Sequence, residues 1–392
     1  MTLRRMPPDK MSAKEGKKRD KLTSKLAIVI IVSAVLMLAS LVMLFFVTKK
    51  EAALEGADQA IRLSAQGGFS CEYAEAQKLY PFYEGVIKVT NDRIAYLTMS
   101  GNDVFSVSVA YANPQCYVSG DRAVVFDANG YSFTVIRNEE LVYSKPTVDK
   151  IKAVALSSGG LCAVITDGAD SYGELIVYNE KGDILFKWSS YNSGYPLCCS
   201  FNDSEDMLAV STINTNGAEY KPYVKVFSLK DINGNLSVSD YAYYTFDNAD
   251  ILSLIMYVGD ELLTFSSEGI YQVADDQLKL IGTDFGTINY VTRVGDNIFV
   301  IYSEGVEQLN KLAVITTSGG TNYNSPIGSE VNAVTTDGSR YAVCIDKKIY
   351  VYNKSGSVLA DISVDEDILR IGFIGNDKLV VVSTSGVHTV NI

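Results

Sequence analysis

Histidine and tryptophan are almost missing from this 392-residue chain, each occurring once, as His388 and Trp188. A Ser/His or Cys/His triad needs partners arranged around its histidine, and a lone histidine sharing a strand face with Val390 and Ile392 reads as structural. Zinc sites built from histidines or paired CxxC ligands are absent too, and adjacent Cys198 and Cys199 are poorly spaced for chelation. The six cysteines (Cys71, Cys116, Cys162, Cys198, Cys199 and Cys344) are too sparse and irregular for a disulfide scaffold, so at most one or two bridges are expected. Cys162 and Cys344 sit in the apolar runs LCAVI and YAVCI, where each reads as a small buried hydrophobe. No phosphate-cradling glycine motif stands between a strand and a helix. No catalytic residue, metal ligand or cofactor is therefore expected.

Positive charge is also scarce beyond the N-terminal region. The formal charge is −12 overall, yet residues 1–25 carry nine basic residues against three acids. Setting aside that +6 and Lys49 and Lys50 leaves −20 on residues 51–392, which argues against a nucleic-acid groove. Between the two regions lies LAIVIIVSAVLMLASLVMLFFV (26–47), uncharged and long enough as a helix, about 33 Å, to cross a bilayer core. The basic flank predicts a cytoplasmic N-terminus and an extracytoplasmic C-terminal part. Phe45 to Lys50 make a poor cleavage site, so the span reads as an uncleaved single-pass signal-anchor in the cell membrane. The expected order is a disordered basic tail (1–25), a transmembrane helix (26–47), a stalk (48–79) ending near Gly67 and Gly68, and an outer domain (80–392).

That outer domain reads as all-β. Short runs rich in Val, Ile, Tyr and Phe alternate with Gly, Asn, Asp and Ser, which is the pattern of strands and turns. Marker positions Ile94, Ala123, Leu161, Leu208, Leu262, Ile298, Tyr341 and Leu379 recur at uneven intervals. IVYNEKGDIL (176–185) is echoed by YVYNKSGSVL (350–359), four units of about 43 residues away, the period of a propeller blade. Residues 149–190 divide into four strands, and one such sheet hides both apolar faces only within a ring of others. In its fourth strand Ile184, Phe186 and Trp188 share a face, placing Trp188 between blades. The fold expected is a β-propeller of seven blades, with eight the alternative if each chain end builds its own blade. The insertion at 213–247 is expected to lengthen one hairpin.

Carboxylates at 139–140, 205–206, 275–276 and 365–367 fall in turn-like segments where acids are simply solvated. The stretch DINGN (231–235) resembles a calcium loop only faintly, its glycine coming too early. Twenty-five tyrosines are the marked excess. Tyrosine joins apolar area to a hydroxyl handle, and loops carry recognition more often than strands do. Tyr191 and Tyr195, in an inter-blade loop, and Tyr220, Tyr223, Tyr241, Tyr243 and Tyr244, in the insertion, are the candidate partner-binding residues.

The basic tail, single span and stalk, followed by AYANPQCYVSGDRAVVFDANG (110–130) and ELIVYNEKGDILFKWSS (174–190), resemble a bacterial family of single-pass membrane proteins of unknown function with an outer propeller. The second segment is also similar to quinoprotein-like and WD40-like repeats, though without the repeated tryptophans that lock quinoprotein blades. The resemblance implies a cell-envelope location and no particular activity. The expected function is binding or scaffolding of an envelope protein or glycan. The alternative is a carbohydrate-active hydrolase, which needs two carboxylates converging at one mouth of the channel. A third reading, a sensor signalling inward, leaves only 25 residues for output.

Overall fold

A computed structural model describes residues 60–392 apart from 72–76, 218, 233–234, 247–250, 268, 275–276, 284, 305–308 and 328–329. The basic tail, the apolar span and residues 48–59 of the expected stalk lie outside the described residues. Among the described residues no helix is long and apolar enough to cross a membrane. The single helical turn described is the 3-10 segment Leu63–Ala65.

The described residues form eight sheets, each of four antiparallel strands. Blades 1 to 7 are simple meanders at 78–108, 114–146, 151–189, 195–245, 254–283, 287–326 and 331–363. Blade 8 takes Ile368–Ile374, Lys378–Ser383 and Gly386–Asn391 from the chain end and Gly68–Ser70 from its beginning, with Phe69 opposite Val387. First strands line the central channel, so each blade is laid down from the inside outward. Second strands are the most apolar, as in Arg122–Asp127 (RAVVFD) and Cys162–Thr166 (CAVIT), buried along their whole length because both faces meet a neighbouring blade.

The core is correspondingly divided into eight clusters, one per seam. Cys162, Val164 and Tyr178 of blade 3 pack on Val124, Phe133 and Tyr143 of blade 2. Leu79 and Val86 of blade 1 pack on Val380, Val382 and Val387 of blade 8, so the wheel is closed. Trp188 packs in the seam between blades 3 and 4, its ring 5.6 Å from that of Phe227.

Two expectations are corrected. The wheel has eight blades rather than seven, even though the chain ends share a blade. The inner strand of blade 1, Lys78–Phe82, contains Pro81, which disguises it; an edge strand facing the channel tolerates the missing N–H. Ile94 lies on a third strand whereas the later markers lie on or beside second strands, which shortened the first interval. The domain boundary also moves, because residues 61–70 belong to the wheel and not to a stalk. Ile61 bridges Val364, and the Leu63 amide donates to Asp365 Oδ1 at 2.9 Å. Leu63 is fully buried between blades 7 and 8.

The internal echo has a physical cause. It occupies the same turn in blades 3 and 7, four blades apart and thus opposite in the ring. Asn179 Oδ1 accepts from the amides of Lys181 (2.9 Å) and Asp183 (2.8 Å), and Asn353 accepts likewise from Ser355 (2.9 Å) and Ser357 (3.0 Å). Gly182 and Gly356 complete these turns at φ +81° and +88°, where side chains are strained. A Cβ on either glycine would strike the ring of Tyr143 or Tyr323, an outer-strand tyrosine of the preceding blade. The long hairpin is present as well, Lys221–Ile232 against Asn235–Thr245, and it runs beyond Ser228, where the pairing with the second strand ends.

Candidate functional site

First strands from all eight blades surround a central cavity of about 940 Å³. Its charged lining residues are Asp203, Arg293 and Arg370. Asp203 and Arg293 reach across one mouth, from blades 4 and 6, and pair with each other. Arg370 lies in blade 8, just after a bulge in its strand, with its guanidinium 4.5 Å from the ring centre of Tyr80 in blade 1. Tyr117 and Tyr290 enter from opposite blades, 2 and 6, close enough that ionising one would raise the pKa of the other. Enclosure within the ring lifts both phenols above their ordinary range, although Tyr117 keeps 45% of its surface exposed, so they remain protonated donors. Cys116 borders the same space with its thiol pushed up to about 12 by burial. Here the channel is lined by neutral donors and a cation.

A second feature lies on the face carrying the blade-to-blade connections. The loop between blades 3 and 4 holds Tyr191 and Tyr195, which are 62% and 47% exposed. It is pinned by Thr212 Oγ1 donating to the Ser193 carbonyl (2.7 Å) and Ser190 Oγ to that of Gly194 (2.6 Å). Tyr195 meets Tyr172 edge-on at 5.0 Å, and the Tyr172 hydroxyl donates to Asn216 Oδ1 at 2.6 Å, tying the loops of blades 3 and 4. Tyr223 and Tyr243 stack at 5.2 Å where the long hairpin begins and ends. Beneath them Lys225 Nζ lies 5.8 Å from the Tyr243 ring and 5.7 Å from Trp188, paired to Asp240 at 2.9 Å. The chain's own lysine thus fills the aromatic cage and stiffens it, since cation–π contacts hold a ring in place. Tyr220, 65% exposed, precedes the hairpin on the same face.

Of the seven tyrosines singled out, Tyr191, Tyr195, Tyr220, Tyr223 and Tyr243 share this rim. The other two do not join it. Tyr241 is the extra residue of a bulge on the outer strand, and Tyr244 turns into the core between blades 4 and 5. Tyr172 belongs to the rim but was hidden in a polar turn. The channel residues carried no signal either, because each blade supplies only one or two of them and only ring closure brings them together.

Most of the described turn carboxylates have structural partners. Glu205 accepts from Ser158 Oγ at 2.9 Å and from the Gly159 amide. Asp206 accepts from Ser204 and Asn202, which hold its carboxyl below the usual range. Glu366 accepts from Ser385 and Ser383, with the same effect. Asp275 and Asp276 lie outside the described residues. No described group of three or more His, Cys, Asp and Glu could hold a metal ion. All six thiols are unbridged.

A family profile described as "Family of unknown function (DUF5711)" matches residues 62–392. No curated protein sequence matches the chain. Among solved structures, AztD from Citrobacter koseri is similar at TM-score 0.53 and 9% identity, covering 76% of this chain and 88% of that one. BamB from Moraxella catarrhalis is similar at TM-score 0.49 and 12% identity, covering 83% and 96%. At such low identity the likeness shows the propeller fold alone.

Proposed function

The chain belongs to the DUF5711 family of unknown function, and on that premise we propose that its eight-bladed wheel is a docking module. In this reading the apolar segment 26–47 anchors it in the cell membrane, the N-terminus is cytoplasmic, and the wheel binds or scaffolds another envelope component outside. The wheel itself carries out no reaction.

One observation carries the proposal. Five tyrosines spread over residues 191–243 gather with Tyr172 on one rim of blades 3 and 4, on strand ends and on a loop pinned by hydrogen bonds. Rigid, half-exposed tyrosines bury large area on binding at little entropic cost. The acidic exterior favours a partner whose contact surface is neutral or basic.

The test is site-specific photocross-linking of the full chain in intact cells, with the reactive group at Tyr191, Tyr195 or Tyr220. Tyr83, 42% exposed on a turn of blade 1 at the opposite face, is the control. A discrete adduct from the rim positions and none from Tyr83 is expected. Equal labelling from both would refute the rim as a docking surface. Placement of the wheel is tested separately, by labelling a cysteine introduced at Lys181 with a membrane-impermeant maleimide.

A further inference from the structure

We propose that the central channel is a receptor site for a small organic oxyanion, gripped by Arg370. The buried and half-buried arginines of the wheel set the comparison. Arg122 donates to the carbonyls of Ser158 (3.3 Å) and Gly159 (3.1 Å). Arg340 donates to Asp337 (2.8 Å) and to the Asn376 carbonyl (2.6 Å). Arg293 holds Asp203 and the Gly295 carbonyl. Arg370 alone among them has no oxygen acceptor among the described residues; its guanidinium lies over the Tyr80 ring, 4.5 Å away, and near enough to the Cys116 thiol to act on its charge.

A guanidinium drawn partly out of water without an acceptor is costly, because its N–H groups have exchanged water for nothing. Its place over the Tyr80 ring restrains the guanidinium at the cavity lining with its N–H groups unspent, and a guanidinium fork can bind a carboxylate or phosphate with two parallel hydrogen bonds. The rest of the lining agrees. Among the described residues the only carboxylate lining the cavity is Asp203, which Arg293 neutralises, so it does not compete for Arg370. Tyr117 and Tyr290 add phenolic donors, and Ser119, Ser200 and Thr292 line the same space beside Val154, Val291 and Val334, so the wall is mixed. A cavity of about 940 Å³ accepts a body of metabolite or drug size. The ligand class is therefore a carboxylate or phosphate on a compact organic body that carries both apolar and polar groups. The site is independent of the tyrosine rim and stands whether or not a protein docks there.

The probes are benzoate and phenyl phosphate, with neutral benzamide as the control, titrated calorimetrically into the full chain in detergent. Saturable binding of one anion and none of benzamide is expected, and which anion binds tells carboxylate from phosphate. Arg370→Gln should weaken binding about 10- to 100-fold, the worth of charge-assisted hydrogen bonds. Arg370→Lys, which keeps the charge and loses the fork, should fall between. Arg137→Gln, on an exposed arginine paired with Asp121, should leave affinity unchanged. Circular dichroism and unfolding midpoints confirm that each variant is folded. No binding of either anion up to about 10 mM, or equal affinity in folded Arg370→Gln, overturns the proposal.

Discussion

Leu63→Ala is the sharpest test of how the wheel closes. Leu63 is fully buried, packed on Ala342, Ile349 and Val351 of blade 7 and Leu379, Val381 and Val390 of blade 8. The substitution removes three carbons, worth about 2.4 kcal/mol of transfer free energy at about 0.8 per carbon. A cavity term adds to this, because the Leu63 amide is tied to Asp365 and two blades must move together to fill the space. The expected loss is about 3–4 kcal/mol. Ile184→Ala, at a side chain 52% exposed on an outer strand, should cost less than about 0.5 kcal/mol. The assay is urea unfolding of the full chain followed by the fluorescence of Trp188, its only tryptophan, and by far-UV circular dichroism. Trp188 lies in the seam of blades 3 and 4, across the ring from blade 8, so it reports whether loss of closure spreads. With a slope of about 3 kcal/mol per M the midpoint should fall by about 1 M in both signals. A shift no larger than that of Ile184→Ala would show that residues 61–70 hang on the wheel without closing it.

Gly356→Ala forces a side chain to φ +88° and against the Tyr323 ring, and should cost about 1–3 kcal/mol in the same unfolding assay; a neutral effect would remove the account of the repeated turn. Acid should weaken the closing blade in two steps. Burial lowers the pKa of His388 from 6.5, so the unfolded chain binds the extra proton and stability falls as pH drops below that value. The hydrogen bond from Ser385 lowers that of Glu366 from 4.5, and its contribution is lost as pH falls further through its depressed folded value. His388→Gln should remove the upper step in a plot of unfolding midpoint against pH while leaving the lower one. Burial pushes the thiols of Cys116, Cys162 and Cys198 up to about 12, so alkylation by iodoacetamide at pH 8 should be on the order of a thousandfold slower in the folded than in the unfolded protein. Rapid labelling of Cys162 in the native state, read by mass spectrometry, would contradict its burial.

Legibility of the fold followed from local regularity. Residues 149–190 divide into the strands Ile151–Leu156, Cys162–Thr166, Glu174–Tyr178 and Ile184–Ser189, as the turn residues between them require. Alternation put Trp188 in a seam, and the insertion became a long hairpin because its two halves are rich in Val, Tyr and Ser with a turn between. The miscount arose at the ends. Gly68–Ser70 is three residues long and holds a glycine at φ +137°, so it has no strand signature of its own. Its role comes from the open edge of Gly386–Asn391, supplied from more than three hundred residues away.

The amino-acid sequence alone determined the class of fold, the acidic exterior, the strand and turn positions within a blade, and the scarcity of residues for histidine- or thiol-based chemistry. These are local or additive properties, set by side-chain alternation, backbone preference and charge. Tertiary structure decided the number of blades, the strand that closes the ring, which tyrosines share a rim, and the position of Arg370 over Tyr80 in the channel. Each of those depends on groups brought together from different blades, and the energy that assembles them comes from seams that exist only once the circle is complete.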